Sequence, residues 1–315
     1  MPTKTIYFSK ARTALKYGLQ ALELNDQDII LVPDFVCDSI FQPIQQNSLN
    51  FSTYELEDDL SPKWSSLDLL ITKKIKAIVM IHYFGQPQDI NKFIGFCKKH
   101  NIFLIEDNAH GHSGLINGRE LGTFGDIGIS SPRKFQGNGG VLYLNKDYKE
   151  SILPALPNEE PRASRSGLRF LLNKIPKFKH LIKRAIKKRP RYEDPRAFKE
   201  PFIDDFYLSK ESADAEVLMN WSDIRDLRRK KFDILQNIAL NGGLKPIFSK
   251  VHNESNPWCF AAYAKSQEEA IQWFDWGWKN NVEVFSWPSL REEQITSNDK
   301  AFLRWQRVVC FSTDS

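Results

Sequence analysis

The stretch Ile102-Phe103-Leu104-Ile105-Glu106-Asp107-Asn108-Ala109-His110 decides how the rest of the chain is read. Four consecutive apolar residues end on two acids. The run is too short for a membrane span and lacks the alternation of a half-buried strand. It therefore reads as a strand buried on both faces. Such strands occur in parallel sheets, whose ligands bind at the carboxyl ends of the strands. Glu106, Asp107 and His110 stand at such an end.

Working outward, the same grammar recurs. Ile29–Val32, closed by Pro33, and Ala77–Ile81 are further buried runs, and Asn50–Tyr54 is a strand candidate. Thr13–Leu24 places Leu15, Leu19 and Leu22 at helical spacing. Phe35–Gln46 and Asp89–His100 predict two more helices, with Phe93, Ile94 and Cys97 on one side of the latter. Ile127–Ile129 and Val141–Leu144 close the series. Met1–Lys10 is polar and leads into helical pattern, so no secretory leader is expected. Strands alternating with helices predict an α/β sheet covered on both faces. After Asn145 the pattern breaks into a proline-rich stretch. Arg225–Leu240 is again helical, and the residues from about 244 onward read as a small α+β lobe: Phe260–Tyr263 and Val282–Phe285 as strands, Gln267–Asn280 as a Trp-rich helix. The division this predicts is 1–150, 151–210 and 211–315.

Two clusters carry candidate chemistry. Asp107, after a buried strand, can pair with a cationic ring nitrogen, as the acid does in pyridoxal 5'-phosphate sites. It can equally cap the next helix. Some 20 residues on comes Ser130-Ser131-Pro132-Arg133-Lys134, followed by Gly137-Asn138-Gly139-Gly140. A lysine in a tight loop between strands suits a Schiff-base nucleophile, because desolvation and a nearby cation lower its pKa. Ser131 could donate to a phosphate, and the glycines allow close backbone approach. A polar hairpin with a surface lysine is the plain alternative. The acid after one strand and the Ser-x-x-Lys after the next is the layout a pyridoxal phosphate site requires.

In these residues the chain resembles the DegT-type sugar-nucleotide aminotransferases. Ala11-Arg12-Thr13-Ala14-Leu15 is similar to their opening helix, and Val32-Pro33-Asp34-Phe35 to their strand-Pro loop. His82-Tyr83-Phe84-Gly85-Gln86-Pro87 is similar to their His-x-Tyr-Gly-x-Pro turn. Glu106–His110 corresponds to Glu-Asp-Ala-Ala-Gln, Leu121–Gly128 to their Gly-Ser-Phe-Gly-Asp block, and Ser131–Gly140 to their lysine loop. Arg228–Phe232 and Trp287-Pro288 extend the likeness more thinly. The resemblance implies the α/β fold type I of PLP-dependent transferases: a large mixed-sheet lobe sandwiched by helices, plus a smaller C-terminal α+β lobe. It implies pyridoxal 5'-phosphate, with Lys134 as Schiff-base lysine and proton shuttle and Asp107 on the pyridinium nitrogen. Ser131, Arg12 and Thr13 would hold the phosphate at a helix start, and His110 would approach the phenolic oxygen. Alignment puts Cys37 where the family has a ring-stacking aromatic, with Phe35 and Phe41 nearby, so which residue covers the ring stays open. Related dehydratases carry His in place of the lysine, so Lys134 favours transamination. The implied reaction moves an amino group from an amino acid, glutamate by resemblance, to a keto-sugar nucleotide. A homodimer is implied too. A PLP-dependent dehydratase and a degenerate binding or scaffold homologue are the alternatives.

Composition bounds these readings. The chain has 315 residues and a net charge of +5. Arg162–Arg191 holds 12 of the 44 basic residues and no acid, which leaves 32 basic against 39 acidic elsewhere, a net of −7. The four cysteines, Cys37, Cys97, Cys259 and Cys310, show no pair spacing. That predicts no metal site and fits a reducing cytoplasm. Within the basic segment Leu168, Leu171, Leu172, Ile175, Phe178, Ile182, Ala185 and Ile186 recur at roughly helical spacing. Residues 162–191 could lie on an anionic membrane surface, line a sugar-diphosphate pocket, or pack one stripe on their own protein. No nucleic-acid motif accompanies them, so nucleic acid is not an expected partner.

Overall fold

The structure, a computed structural model, describes residues 4–145, 158–159, 202–297 and 299–314. The basic run at 162–191, and most of the expected 151–210 division, lie outside them.

The buried runs form the centre of a large mixed sheet. Strands β2 (Ile29–Pro33), β3 (Asn50–Tyr54), β4 (Ile75–Ile81), β5 (Phe103–Asn108) and β8 (Ile127–Ser130) are parallel, in the order β3-β2-β4-β5-β8. Beyond β8 the sheet turns antiparallel through β9 (Gly140–Leu144), β1 (Lys4–Phe8) and β11 (Phe206–Tyr207), with β10 (Asn158–Glu159) beside β11. The short hairpin β6 (Leu115–Ile116) and β7 (Arg119–Glu120) stands apart. Every residue of β8 and β9 is buried, as expected of strands covered on both faces.

Helices cover this sheet. Helix α1 (Ala11–Ala21) lies on β8 and β9, and Gly18 makes the approach possible. A Cβ there would stand 2.8 Å from Leu142 and 3.0 Å from Ile127. Helix α2 (Asp38–Gln46) packs on α1, and α3 (Trp64–Leu67) is a single turn. Helix α4 (Ile90–His100) starts at Asp89, whose carboxylate accepts from the Lys92 N–H at 3.1 Å, and stops at Asn101 in the left-handed region. Its last turn carries Lys98, Lys99 and His100, which suit the negative end of the helix dipole.

Two expectations change in detail. Met1–Lys10 reads as an approach to helix, yet Lys4–Phe8 is a strand. Its partner, β9, pairs with it from Lys4↔Leu144 to Phe8↔Gly140 and lies over 130 residues away, so no local pattern announces it. Strand β5 also runs on through Glu106, Asp107 and Asn108, which are part of the strand rather than of the loop after it.

The second lobe follows α5 (Lys210–Val217) and α6 (Trp221–Asn241). Its antiparallel sheet has the order β12 (Lys245–Pro246), β13 (Cys259–Tyr263), β15 (Val308–Ser312), β14 (Val284–Phe285). Helices α7 (Gln267–Lys279), α8 (Glu292–Ser297) and α9 (Asp299–Arg307) complete it. Strand alternation makes this sheet a wall between two cores. Phe260, Ala262, Val309 and Phe311 face a satellite core with Phe232 and Leu235 of α6 and Phe274 of α7. Cys259, Ala261, Tyr263, Val308 and Cys310 face the main core instead. The start of β13 is thereby held against the carboxyl ends of β4 and β5: the Trp258 N–H donates to the Phe84 carbonyl at 3.0 Å.

Candidate active site

The strand ends supply the floor. Glu106 and Asp107 are successive residues of β5, so their side chains leave opposite faces. Glu106 is fully buried and acts as a structural clamp. Its carboxylate accepts from the N–H groups of Gly122 (2.7 Å), Phe124 (2.6 Å) and Gly125 (2.9 Å), and pairs with His82 Nε2 at 2.8 Å. Burial opposes its charge, but the His82 contact and the backbone N–H groups hold its carboxyl below the usual range.

Asp107 is different. It too is buried, and one oxygen, Oδ1, accepts from the Ala109 N–H at 2.7 Å. No donor reaches Oδ2 among the described residues. Burial raises the carboxyl above its ordinary value, against the pull of the Ala109 N–H, Lys134 and His82. A desolvated carboxylate whose second oxygen takes no hydrogen bond from the described residues suits a cationic N–H partner.

His110 lies three residues on, at the centre of an aromatic nest. Its ring stacks on Phe84 (6.0 Å, 9°) and Trp258 (4.6 Å, 30°) and meets Trp287 edge-on at 4.8 Å. Its Nδ1 accepts from the Phe84 N–H at 3.4 Å. Burial first, then the charge of Lys134, push its pKa well down, so it is a neutral imidazole at pH 7.

Lys134 sits on a short 3-10 turn, Pro132–Phe135, between β8 and β9. Proline opens the turn, and Gln136 closes it in the left-handed region. The loop then lies against the start of α1: a Cβ on Gly140 would come within 2.1 Å of the Ala11 nitrogen. Lys134 Nζ lies 4.1 Å from the centroid of the Trp258 ring, and its charge acts on both Asp107 and His110. Its carbonyl accepts from the buried Arg228 at 3.4 Å. Ser131 is buried one residue before the turn.

The remaining sequence candidates are placed as follows. Arg12 and Thr13 are in the first turn of α1, half-buried and buried. The anion on that turn is Asp204. Its carboxylate accepts from Ser9 Oγ, Lys10 Nζ and, at 3.0 Å, Thr13 Oγ1. Those donors outweigh partial burial and keep its carboxyl below the usual value. Cys37 is the residue preceding α2, with its sulfur 2.7 Å from Ser39 Oγ.

Four residues that sequence reasoning did not assign now have clear places: Trp258, Asp204, Glu216 and His112. Glu216 of α5 accepts from the Asn138 N–H of the lysine loop at 2.9 Å and meets His112 Nε2 at 3.1 Å, while His112 Nδ1 meets Ser130 Oγ. The chain between these groups is too long for spacing to reveal them. Only Arg228 carried a signal, in its Arg-rich helix start.

The mixed sheet with its antiparallel-sheet lobe is the α/β architecture of the fold type I transferases. A Streptococcus pneumoniae protein assigned as a sugar aminotransferase, solved in its PLP form, superposes with a TM-score of 0.70 over 100% of this chain and 83% of its own, at 15% identity. In sequence, residues 3–158 match the DegT/DnrJ/EryC1/StrS aminotransferase family. The GDP-perosamine synthase of Vibrio cholerae is 31% identical over 144 residues, which is 44% of this chain and 39% of the relative. The GDP-4-keto-6-deoxy-D-mannose 3-dehydratase of Yersinia pseudotuberculosis is 30% identical over 105 residues, 33% of this chain and 27% of the relative. The matched stretch thus spans well under half of these curated relatives.

Proposed function

We propose that this protein is a PLP-dependent aminotransferase that moves an amino group from an amino acid, glutamate by family resemblance, to a keto-sugar carried on a nucleotide. The observation that carries the reading is that Lys134, seated on Trp258, lies close enough for its charge to act on both buried Asp107 and buried His110. The residues fit the cofactor. Asp107, a buried carboxylate whose Oδ2 takes no hydrogen bond from the described residues, offers an acceptor for a pyridinium N–H, and Lys134 would be the covalent attachment point. Ser131 and the start of α1, whose Ser9, Lys10 and Thr13 already hold a carboxylate, are the candidates for its phosphate.

When bound, pyridoxal 5'-phosphate supplies the electron sink for charge that develops on the donor carbon. The protein's part is narrower. Asp107 would hold the ring nitrogen protonated, and Lys134 would take the proton from the donor carbon and return it. His110, neutral and with Nδ1 accepting from the Phe84 N–H, would present its Nε2–H as a donor to the ring's oxygen without adding charge. The aromatic nest keeps water from the reacting atoms.

The dehydratase relative supports a second reading on the same fold, elimination of water from the sugar. By resemblance such enzymes carry His where this chain has Lys134, so transamination is preferred. A homodimer in the cytoplasm fits the family resemblance. Among the described residues no helix is long and apolar enough to cross a membrane. Peripheral membrane contact through residues 162–191 is a separate proposal.

The test is direct. Purified full-chain protein incubated with pyridoxal phosphate should show the visible band of a lysine-bound cofactor, and Lys134→Ala should lose it together with amino transfer from labelled glutamate. A wild-type protein without that band would end the proposal. Water loss without amino transfer would favour the dehydratase.

A further inference from the structure

The DegT-type resemblance places an aromatic in the loop after β2 to cover the cofactor ring, and this chain has Cys37 there. The structure assigns the ring-facing aromatic contact to Trp258, supplied by the second lobe; this rests on the cofactor reading above.

The geometry is specific. Trp258 immediately precedes β13, and its backbone is held on both sides. Its N–H donates to the Phe84 carbonyl at 3.0 Å, and its carbonyl accepts from the Thr313 N–H at 3.4 Å. The residue before it, Pro257, has a carbonyl that accepts from Thr313 Oγ1 at 2.6 Å and from buried Arg228 at 3.5 Å. The indole is further fixed by His110 at 4.6 Å and Phe285 at 4.9 Å. Such a side chain is preorganised, because its rotamer is set by packing before any ligand arrives.

Lys134 Nζ is 4.1 Å from the centroid of that indole. Any group bonded to Nζ therefore begins within van der Waals reach of a large π face. A planar, electron-poor ring attached there gains an aromatic neighbour, an arrangement favoured by the indole quadrupole. Cys37 lies at the opening of α2 with its sulfur turned to Ser39. A thiol offers no comparable face. The aromatic contact has thus moved from the first lobe to the second, and the ring site is complete only when the two lobes are packed together.

The experiment uses the full chain. Pyridoxal phosphate affinity is measured by titration of the visible band, and the visible circular dichroism of the bound cofactor is recorded alongside. Trp258→Ala should weaken binding about tenfold, the scale of one aromatic contact, and should diminish or invert the circular dichroism. Trp258→Phe should restore both to within about twofold of wild type. Trp258→Leu, which keeps bulk without the π face, should behave like the alanine variant and serves if that variant is insoluble. Trp273→Phe, in the satellite core, should change neither signal. Unchanged affinity and dichroism in Trp258→Ala and Trp258→Leu would overturn the assignment, as would the same loss produced by Cys37→Ala instead. A wild type that binds no pyridoxal phosphate overturns both this and the proposed function. Wild-type binding that ignores Trp258 overturns this inference alone.

Discussion

Neighbouring acids in one strand have opposite tasks here, and each makes a prediction. Glu106 is saturated: three backbone N–H groups and His82 converge on it. Its folded carboxyl titrates below its unfolded value, so its contribution to stability is present above the unfolded pKa and disappears as pH falls through the folded one. Glu106→Gln, whose amide cannot accept all four bonds, should cost about 3 kcal/mol in a urea melt at neutral pH. Asp107 is half satisfied and titrates above its unfolded value. A raised acid binds protons more tightly when folded, so its presence lowers stability as pH rises from the unfolded pKa through the folded one. Asp107→Asn keeps the acceptor for Ala109 and removes the buried charge. It should stabilise the cofactor-free protein at pH 7 and flatten that acid-range dependence, while depressing amino transfer at least 100-fold. A variant less stable than wild type at pH 7 would contradict this account of Asp107.

At the scale of elements, the site is a set of short segments held by partners far along the chain. The lysine loop closes against α1 because residues 139 and 140 are glycine. Gly139 adopts φ +68° and its Cβ would meet the Phe8 carbonyl at 2.3 Å. Gly140→Ala should therefore destabilise the fold by about 1–3 kcal/mol, the usual cost of overpacking, and weaken pyridoxal phosphate binding together with it. Asp204 occupies the donors at the start of α1 that are also the candidates for a phosphate. Asp204→Asn should remove a competing charge and tighten pyridoxal phosphate binding several-fold at low ionic strength, an effect that fades in salt. This scale also marks what was legible beforehand. The buried runs around Ile78, Ile105 and Ile127 announce themselves by composition, and so do the helices with regular Leu and Phe spacing. Lys134 and Asp107 stand out in the sequence because strand ends concentrate chemistry, and in the fold the charge of Lys134 acts on buried Asp107. Strand β1 was not, since a weak polar strand is defined by its partner β9. Trp258, Asp204 and Glu216 were invisible for the same reason: what each does depends on a neighbour in space rather than in sequence.

The molecule as a whole is two cores sharing one antiparallel sheet. One face of β13 and β15 belongs to the main core and the other to the satellite core. The aromatic nest lies where β13 meets the ends of β4 and β5, so residues of both lobes build it. The charge distribution adds a separate question, because a body of net −7 carries twelve basic residues within 162–191. Neutralising the basic residues of 177–191 and measuring vesicle association and sugar-nucleotide KM separately would sort the options. Loss of vesicle binding indicates a membrane surface, a raised KM indicates a phosphate pocket, and neither indicates solvation alone. The central claim is that Lys134 bears the cofactor opposite Asp107. The most direct measurement is borohydride reduction of the pyridoxal phosphate-loaded protein, followed by mass spectrometry of its peptides. The account predicts a phosphopyridoxyl group on Lys134. Absence of the label, or its placement on another lysine while Lys134 stays unmodified, would contradict it.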